Sequence, residues 1–147
     1  MQKTFVMVKP DGVQRNLVGR IISRFEAANL KLVALKMLTI DQELAAKHYS
    51  EHVEKPFFPK LKEYITSGPV VAMILEGPEA VEVARKIIGA TNPFDAQAGT
   101  IRGDLGLTLD YNLVHGSDAP ESAQREMDLF FSPAELQDYK LHSQQWA

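Results

Sequence analysis

Four short apolar segments with strand character, separated by stretches of helical periodicity, restrict the folds open to this chain more than any other feature. Between them, apolar residues recur every three or four positions, which predicts amphipathic helices packed on a sheet. Two helical stretches lie between the second and third segments, and one helix is expected after each of the other segments. The four segments run over residues 4–8, 32–38, 70–75 and 113–114.

The order of these elements is β-α-β, a helical hairpin, and then β-α-β-α. It predicts an α+β fold, a ferredoxin-like split βαβ sandwich with a four-stranded antiparallel sheet, helices on its faces and the hairpin as an insert. A flavodoxin-like parallel sheet is the alternative, but the chain supplies only four strands. We expect a single domain over residues 1–147, with residues 132–147 as a C-terminal tail, because a chain of 147 residues can bury a core without crosslinks.

Composition excludes several classes of protein. The chain has no cysteine, so neither a disulfide nor a thiolate metal site can form. Its formal charge of −3 disfavours a nucleic-acid-binding protein, whose domains usually carry a basic face. No apolar run approaches the roughly 20 residues that span a membrane, and the first residues lack the apolar core of a signal peptide. We therefore expect a cytoplasmic protein.

The chain has neither a P-loop nor the glycine motif of dinucleotide-binding folds, so side chains would have to hold any phosphate. Lys9 follows the first strand in a turn-like Lys9–Gly12 segment, and Arg85 lies on a predicted helix. Arg102 lies in an aperiodic stretch from Ala90 to Asp110, where no packing role is expected. Arginine's planar fork matches phosphate oxygens. Each of these cations could equally be a solvated surface charge.

Two further features favour nucleotide binding. Thr91, in an Asn-Pro turn region, could donate its hydroxyl to a phosphate or simply belong to a loop. In the segment Lys55–Pro59 two aromatic residues stand between prolines, and Phe57 could offer a flat face to a base, with Leu61 one turn further on. Stacking of this kind accepts every base, because each has a π-face. The alternative is that both aromatics belong to the core.

The segment Asn112–Asp118 places a histidine, His115, between a short strand and a helix that Asp118 is expected to cap. The positive end of a helix favours anions, so a histidine there is suited to meeting a phosphate. Glu126 on that helix could accept one ring proton of His115 and leave a lone pair on the other nitrogen. It could also be a surface carboxylate paired with an arginine.

A zinc site is the competing interpretation. The segment His48–His52 matches the H-x-x-E-H signature of zinc hydrolases, and Glu126 could serve as a third ligand. Pro56 follows almost at once, however, and five-residue patterns arise often by chance. The other possibility is that His48 packs in the core while His52 is solvated.

Taken together, several segments resemble the nucleoside diphosphate kinase family, in order and at consistent spacing, from the first strand to about Phe131. The segment Asn112–Asp118 is similar to the family's active-site signature, and Glu121-Ser122-Ala123 follows it as expected. The other similar segments are Thr4–Arg15, Lys55–Phe58, Thr66–Val70, Gly89–Pro93 and Gly99–Arg102.

The resemblance implies a ping-pong transfer of the γ-phosphate of a nucleoside triphosphate to a nucleoside diphosphate through His115, with little base specificity. Lys9 and Asn112 would contact the sugar or the transferred phosphate, and Phe57, with Leu61, would stack on the base. Magnesium would arrive with the nucleotide, with Asp118 as a possible ligand through water. Further roles fall to Arg85, Thr91 and Arg102 on the phosphates, to Tyr49 near the transferred group, to Glu126 as orienter of the histidine and to Ser117 beside it.

The resemblance also implies a homo-oligomer, a tetramer or a hexamer, without a membrane or a specific nucleic acid as partner. Leu109-Asp110-Tyr111 and the tail from Ser132 depart from the family pattern. An RNA-binding module on the same fold is disfavoured, because such modules show aromatic residues on their strands in a basic context. A phosphohistidine carrier would not need the base-stacking face of Phe57.

Overall fold

The computed structural model describes residues 1–146, and its elements follow the order expected from the sequence. The strands are β1 (Gln2–Val8), β2 (Lys31–Thr39), β3 (Pro69–Gly77) and β4 (Val114–Gly116). The helices are α1 (Pro10–Gln14), α2 (Val18–Ala27), α3 (Gln42–His48), α4 (Phe58–Ile65), α5 (Ala80–Ile88), α6 (Ile101–Leu105) and α7 (Pro120–Phe130). Two 3-10 turns, Pro133–Glu135 and His142–Trp146, lie in the tail.

The four strands form one antiparallel sheet in the order β2-β3-β1-β4. This is the order of the split βαβ sandwich, and α3 and α4 form the helical insert between β2 and β3, so the predicted fold class is confirmed. No helix in the described part of the chain is long and apolar enough to cross a membrane.

The side chains of β1, one of the two inner strands, point alternately to opposite faces of the sheet and so belong to two layers of the core. Phe5 and Met7 belong to one layer, which α3 and α7 cover, whereas Val6 and Val8 belong to the other, which α2 and α5 cover. His115 on β4 pairs directly with Met7. Directly opposed residues project from the same face of a sheet, so His115 faces the layer that contains α3 and α7.

Three local predictions were wrong. The segment after β1 forms the short helix α1 instead of a turn, and α6 lies inside the stretch predicted to be aperiodic. A five-residue helix such as α6 is too short to show a helical period. Asp118 does not cap α7, because Ala119 occupies the N-cap position. The Ser122 hydroxyl accepts the N–H of Ala119 and donates to the carboxylate of Asp118.

Candidate active site

A cleft with a volume of about 790 Å³ opens between α4 and the segment that precedes β4. Pockets for small ligands have volumes of about 300–1,000 Å³, so the cleft has the right size for a nucleotide. Six of the residues proposed from the sequence line it: Lys9, Tyr49, Phe57, Leu61, Thr91 and Asn112. Phe57 leaves 51% of its surface exposed there, so it does not belong to the core as Phe58 does.

Two aromatic rings connect His115 to the wall of this cleft. Tyr49 in the cleft wall packs on His48 with 4.5 Å between ring centroids, and His48 packs edge-on against His115 at 4.8 Å. The His115 side chain retains partial exposure, whereas His48 and Glu126 are buried. The packed rings of Tyr49 and His48 therefore link the cleft wall to His115.

Glu126 binds the His115 ring as the sequence suggested. The Nε2 atom of His115 lies 2.9 Å from Oε1 of Glu126, and the Ser117 hydroxyl donates to the same oxygen. Burial opposes ionisation of this carboxyl, but the bonds from His115 and Ser117 outweigh it and lower the pKa of Glu126 below its ordinary value. An ionised Glu126 requires a proton on Nε2, which leaves the lone pair of a neutral His115 on Nδ1.

His48 fills the space between β1, α7 and His115. Its ring meets Phe5 and Phe130 edge-on, and neither of its nitrogens has a hydrogen-bond partner within residues 1–146. Burial, followed by the nearby charge of His115, lowers the pKa of His48 to about 3. The side chain is therefore neutral at physiological pH, and the prediction that His48 packs in the core is correct.

The structure does not bring both histidines of the zinc signature to one site. In the described residues, the group of potential metal ligands that comes together consists of His48, His115 and Glu126. His52 turns instead toward the cleft, where its ring lies 5.4 Å from that of Phe57. His52 is half-buried there, so its ring is only partly solvated.

Lys9, Asn112 and Thr91 are joined by hydrogen bonds along the inner wall of the cleft. Nζ of Lys9 donates to Oδ1 of Asn112 at 2.9 Å, and Nδ2 of Asn112 donates to the carbonyl of Thr91 at 2.9 Å. Burial and the positive charge of Arg102 lower the pKa of Lys9 to about 8. Lys9 is thus mainly charged at neutral pH and keeps further N–H groups for a ligand.

Arg102 has a packing role, contrary to the sequence-based expectation. It is buried, with 6% of its surface exposed, and donates to the carbonyls of Asn112 at 3.2 Å, Gly89 at 3.3 Å and Val114 at 2.6 Å. Burial, followed by repulsion from Arg85, lowers the pKa of Arg102 to about 10, so it remains a cation. Each terminal nitrogen still has one hydrogen that a phosphate could accept.

Arg85 and Asp118 are not among the residues that line the cleft, and Arg85 bonds to the backbone next to the histidine. Nη1 of Arg85 donates to the carbonyl of Gly116, the neighbour of His115, at 2.9 Å. Arg85 also lines a smaller depression of about 400 Å³ together with Lys86. Asp118 is exposed near the start of α7, where it accepts the Ser122 hydroxyl at 2.6 Å.

Sequence reasoning missed several residues of the cleft. Lys60 and Asp110 both line it, with 3.4 Å between Nζ and Oδ2, and the rings of Tyr64 and Tyr111 meet edge-on at 5.2 Å. The unusual segment Leu109-Asp110-Tyr111 therefore forms part of one wall. Its departure from the family pattern was the only signal in the sequence.

The split βαβ sheet, the nucleotide-sized cleft and the carboxylate-bound histidine with cations around it define the class of nucleotide-binding phosphotransferases. Comparison with known proteins narrows the class. The family model described as nucleoside diphosphate kinase matches residues 2–136. The chain belongs to the nucleoside diphosphate kinase family and is a nucleotide phosphotransferase.

Individual relatives agree over nearly the whole chain. It is 58% identical to a nucleoside diphosphate kinase of Archaeoglobus fulgidus over 146 residues, which cover 99% of this chain and 97% of that relative. A solved structure of a family member from Babesia bovis matches with a TM-score of 0.97 at 46% identity and covers 99% of both chains. The Halobacterium salinarum enzyme, solved in complex with CDP, matches with a TM-score of 0.96 at 51% identity, covering 99% of this chain and 97% of that one.

Proposed function

We propose that this enzyme transfers the γ-phosphate of nucleoside triphosphates to nucleoside diphosphates by a ping-pong mechanism, through a phosphohistidine on Nδ1 of His115. The observation that carries the proposal is the hydrogen bond of Nε2 to the buried Glu126 carboxylate. That bond fixes the ring and leaves the lone pair on Nδ1. Phosphorylation of Nδ1 places positive charge on the ring, which the ionised Glu126 stabilises.

The reaction consists of two displacements at the same phosphorus. In the first, the Nδ1 lone pair forms a bond to the γ-phosphorus while the bond from phosphorus to the bridging oxygen breaks, and the nucleoside diphosphate leaves. In the second, a terminal oxygen of another nucleoside diphosphate attacks the phosphorus, and the bond to Nδ1 breaks. Each displacement forms one bond to phosphorus and breaks another, so neither an oxidant nor a cofactor that carries the phosphoryl group is needed.

The cations serve to hold and neutralise the phosphates, since phosphoryl transfer needs positioning and charge stabilisation more than covalent chemistry. Lys9 and Asn112 would contact the sugar or the transferred phosphate from the inner wall. Arg85 and Arg102 would hold the outer phosphates, with the Thr91 hydroxyl as a further donor. Tyr49, next to His48 in the cleft wall, is proposed to lie near the transferred group.

Low base specificity follows from the character of the cleft. Phe57, with Leu61 one turn further along, presents an exposed aromatic face, and stacking does not distinguish strongly among bases. The Halobacterium salinarum relative binds CDP, a pyrimidine nucleotide, in its solved structure. We therefore expect purine and pyrimidine nucleotides to be accepted alike.

Magnesium is proposed to enter with the nucleotide. Oxygen ligands suit this hard cation, and Asp118 is an exposed carboxylate three residues after His115 that could reach it through water. Bound to the phosphates, the ion would neutralise part of their charge. The residues of the chain would bind and orient the nucleotide around it.

A homo-oligomer is the proposed assembly. The edge strand β2 exposes Leu35 and Met37, with 49% and 61% of their surfaces accessible. Edge strands with apolar side chains are suited to pairing with another chain, because their backbone groups are free to bond. Tetramer or hexamer, and the cytoplasmic location, stay predictions from the sequence.

Incubation with a γ-labelled nucleoside triphosphate and magnesium tests the proposal. The parent enzyme should acquire an acid-labile, alkali-stable label, which ADP, GDP, CDP and UDP each remove. His115→Gln should acquire none, whereas His142→Gln, a matched change at an exposed tail histidine, should label like the parent. Label retained in His115→Gln would place the nucleophile elsewhere, and exchange without any labelled enzyme would exclude the ping-pong mechanism.

A further inference from the structure

The backbone forms a corner at Leu113, directly before the strand β4 that contains His115. Leu113 has a φ of 74°, in the left-handed region that residues with a side chain rarely adopt. It is fully buried, with Asn112 on one side and β4, which contains His115, on the other. Such a conformation persists only where the surroundings hold it in place.

Asp11 on α1 is one of the groups that hold this corner. Its Oδ2 atom accepts the Leu113 N–H at 3.1 Å, while the Lys9 N–H donates to the Leu113 carbonyl at 2.8 Å. The other oxygen of Asp11, Oδ1, accepts the hydroxyl of Tyr64 on α4. Burial and this bond raise the pKa of Tyr64, so its hydroxyl keeps the proton that it donates. The carboxylate is thereby fixed at both oxygens.

The corner sets the direction of two residues of the site. The bond between Asn112 and Lys9 depends on the orientation of residue 112, and the pairing of His115 with Met7 depends on where β4 begins. Arg102 fixes the carbonyls on both sides of Leu113. The Leu113 N–H, which lies between those two carbonyls in the chain, donates its hydrogen bond to Asp11.

We propose that Asp11 is a positioning residue: its carboxylate, anchored by Tyr64, holds Leu113 in the left-handed conformation and thereby aims His115 and Asn112. The effect on catalysis rests on the proposed function of His115. Without the carboxylate, Leu113 relaxes toward an ordinary conformation, and the His115 ring is displaced from its bond with Glu126. Phosphorylation of the histidine then slows.

The variants are Asp11→Ala, Asp11→Asn, Tyr64→Phe and the double variant, and the assay is single-turnover labelling of the enzyme by γ-labelled triphosphate. Glu135→Ala is the matched control, because that carboxylate also accepts a backbone N–H, from Ser132, but lies in the tail. We expect Asp11→Ala to slow labelling by about tenfold or more, and Asp11→Asn to restore most of the rate, since its amide oxygen can accept the same N–H. Glu135→Ala should label like the parent.

A double-mutant cycle of Asp11 and Tyr64 separates a positioning role of Asp11 from a role in stability alone. If Tyr64 acts only through Asp11, Tyr64→Phe should slow the parent by roughly threefold and should not slow Asp11→Ala further. A role confined to stability would lower the unfolding midpoint of these variants and leave the labelling rate of the folded enzyme unchanged. Rates equal to the parent's, or fully additive losses, would overturn the proposal.

Crystal structures of the parent and Asp11→Ala give a second readout that needs no activity. The proposal predicts a positive φ at Leu113 in the parent and, in the variant, a changed φ together with a displaced His115 ring. If the parent accepts no label, the proposed function fails, and the crystal structures still decide the positioning role. An unmoved Leu113 and His115 in Asp11→Ala would contradict it.

Discussion

His48 should make this protein sensitive to mild acid, because its buried ring resists protonation in the folded state only. Its folded pKa is about 3, while an unfolded chain has the ordinary value of 6.5. As pH falls below 6.5, the unfolded state takes up a proton that the folded state refuses. The contribution of His48 to stability is therefore present above pH 6.5 and is lost as the pH falls from 6.5 toward 3.

The size of the effect follows from the two pKa values. His48 is 3% exposed, so solvent screening does not weaken the burial effect appreciably. Proton linkage then gives a loss in unfolding free energy of about 2 kcal/mol at pH 5 and about 3 kcal/mol at pH 4. Either loss is a large fraction of the typical total for a domain of this size.

The assay is denaturant unfolding of the parent and of His48→Phe between pH 7 and pH 5, at one fixed protein concentration. Phenylalanine keeps a ring beside Phe5 and Phe130 but cannot be protonated. The variant should gain about 2 kcal/mol on the parent between pH 7 and pH 5, whatever its stability at pH 7. His142→Phe, in the exposed tail, should follow the parent. Parallel pH dependence of the parent and His48→Phe would show that His48 does not cause the loss of stability in acid.

Three further predictions concern the cleft. The kcat/KM of the parent should fall as the pH rises through about 8, where Lys9 of the free enzyme loses its charge, and a kcat/KM that stays flat to pH 9.5 would contradict this. Arg102→Met should lower the unfolding free energy by about 3 kcal/mol or more in denaturant titrations, because three carbonyls lose their donor, and an unchanged midpoint would speak against it. Phe57→Ala should raise KM by about tenfold or more for ADP, GDP and CDP alike, with kcat nearly constant, whereas a loss confined to one base would show that stacking is not the main contact.

The fold was predictable because its strands and longer helices bury apolar residues at regular spacing. The four strand segments and their order determine the split βαβ sheet, and the Glu126 contact with His115 was within reach because the two residues are close in sequence. The Asp41 side chain accepts the Leu44 N–H at the start of α3, as an aspartate directly before a helix commonly does. Each strand, the Glu126 contact and the cap can be recognised within a short stretch of sequence, and the order of the strands can be read directly along the chain.

What the sequence did not predict depends on contacts between distant segments. The burial of Arg102 follows from carbonyls of Gly89, Asn112 and Val114 that only the folded chain brings together. The bond from Asp11 to Leu113 joins α1 to the start of β4 across 102 positions of the chain. Neither residue stands in a periodic pattern, so propensity and spacing gave no signal for either role.

Nitrogen-15 and phosphorus-31 NMR of the phosphorylated enzyme identifies directly the ring nitrogen that carries phosphorus. We expect a phosphorus coupling to Nδ1 of His115, with the proton on Nε2 retained in its bond to Glu126. A coupling to Nε2, or phosphorus attached to any residue other than His115, would contradict it.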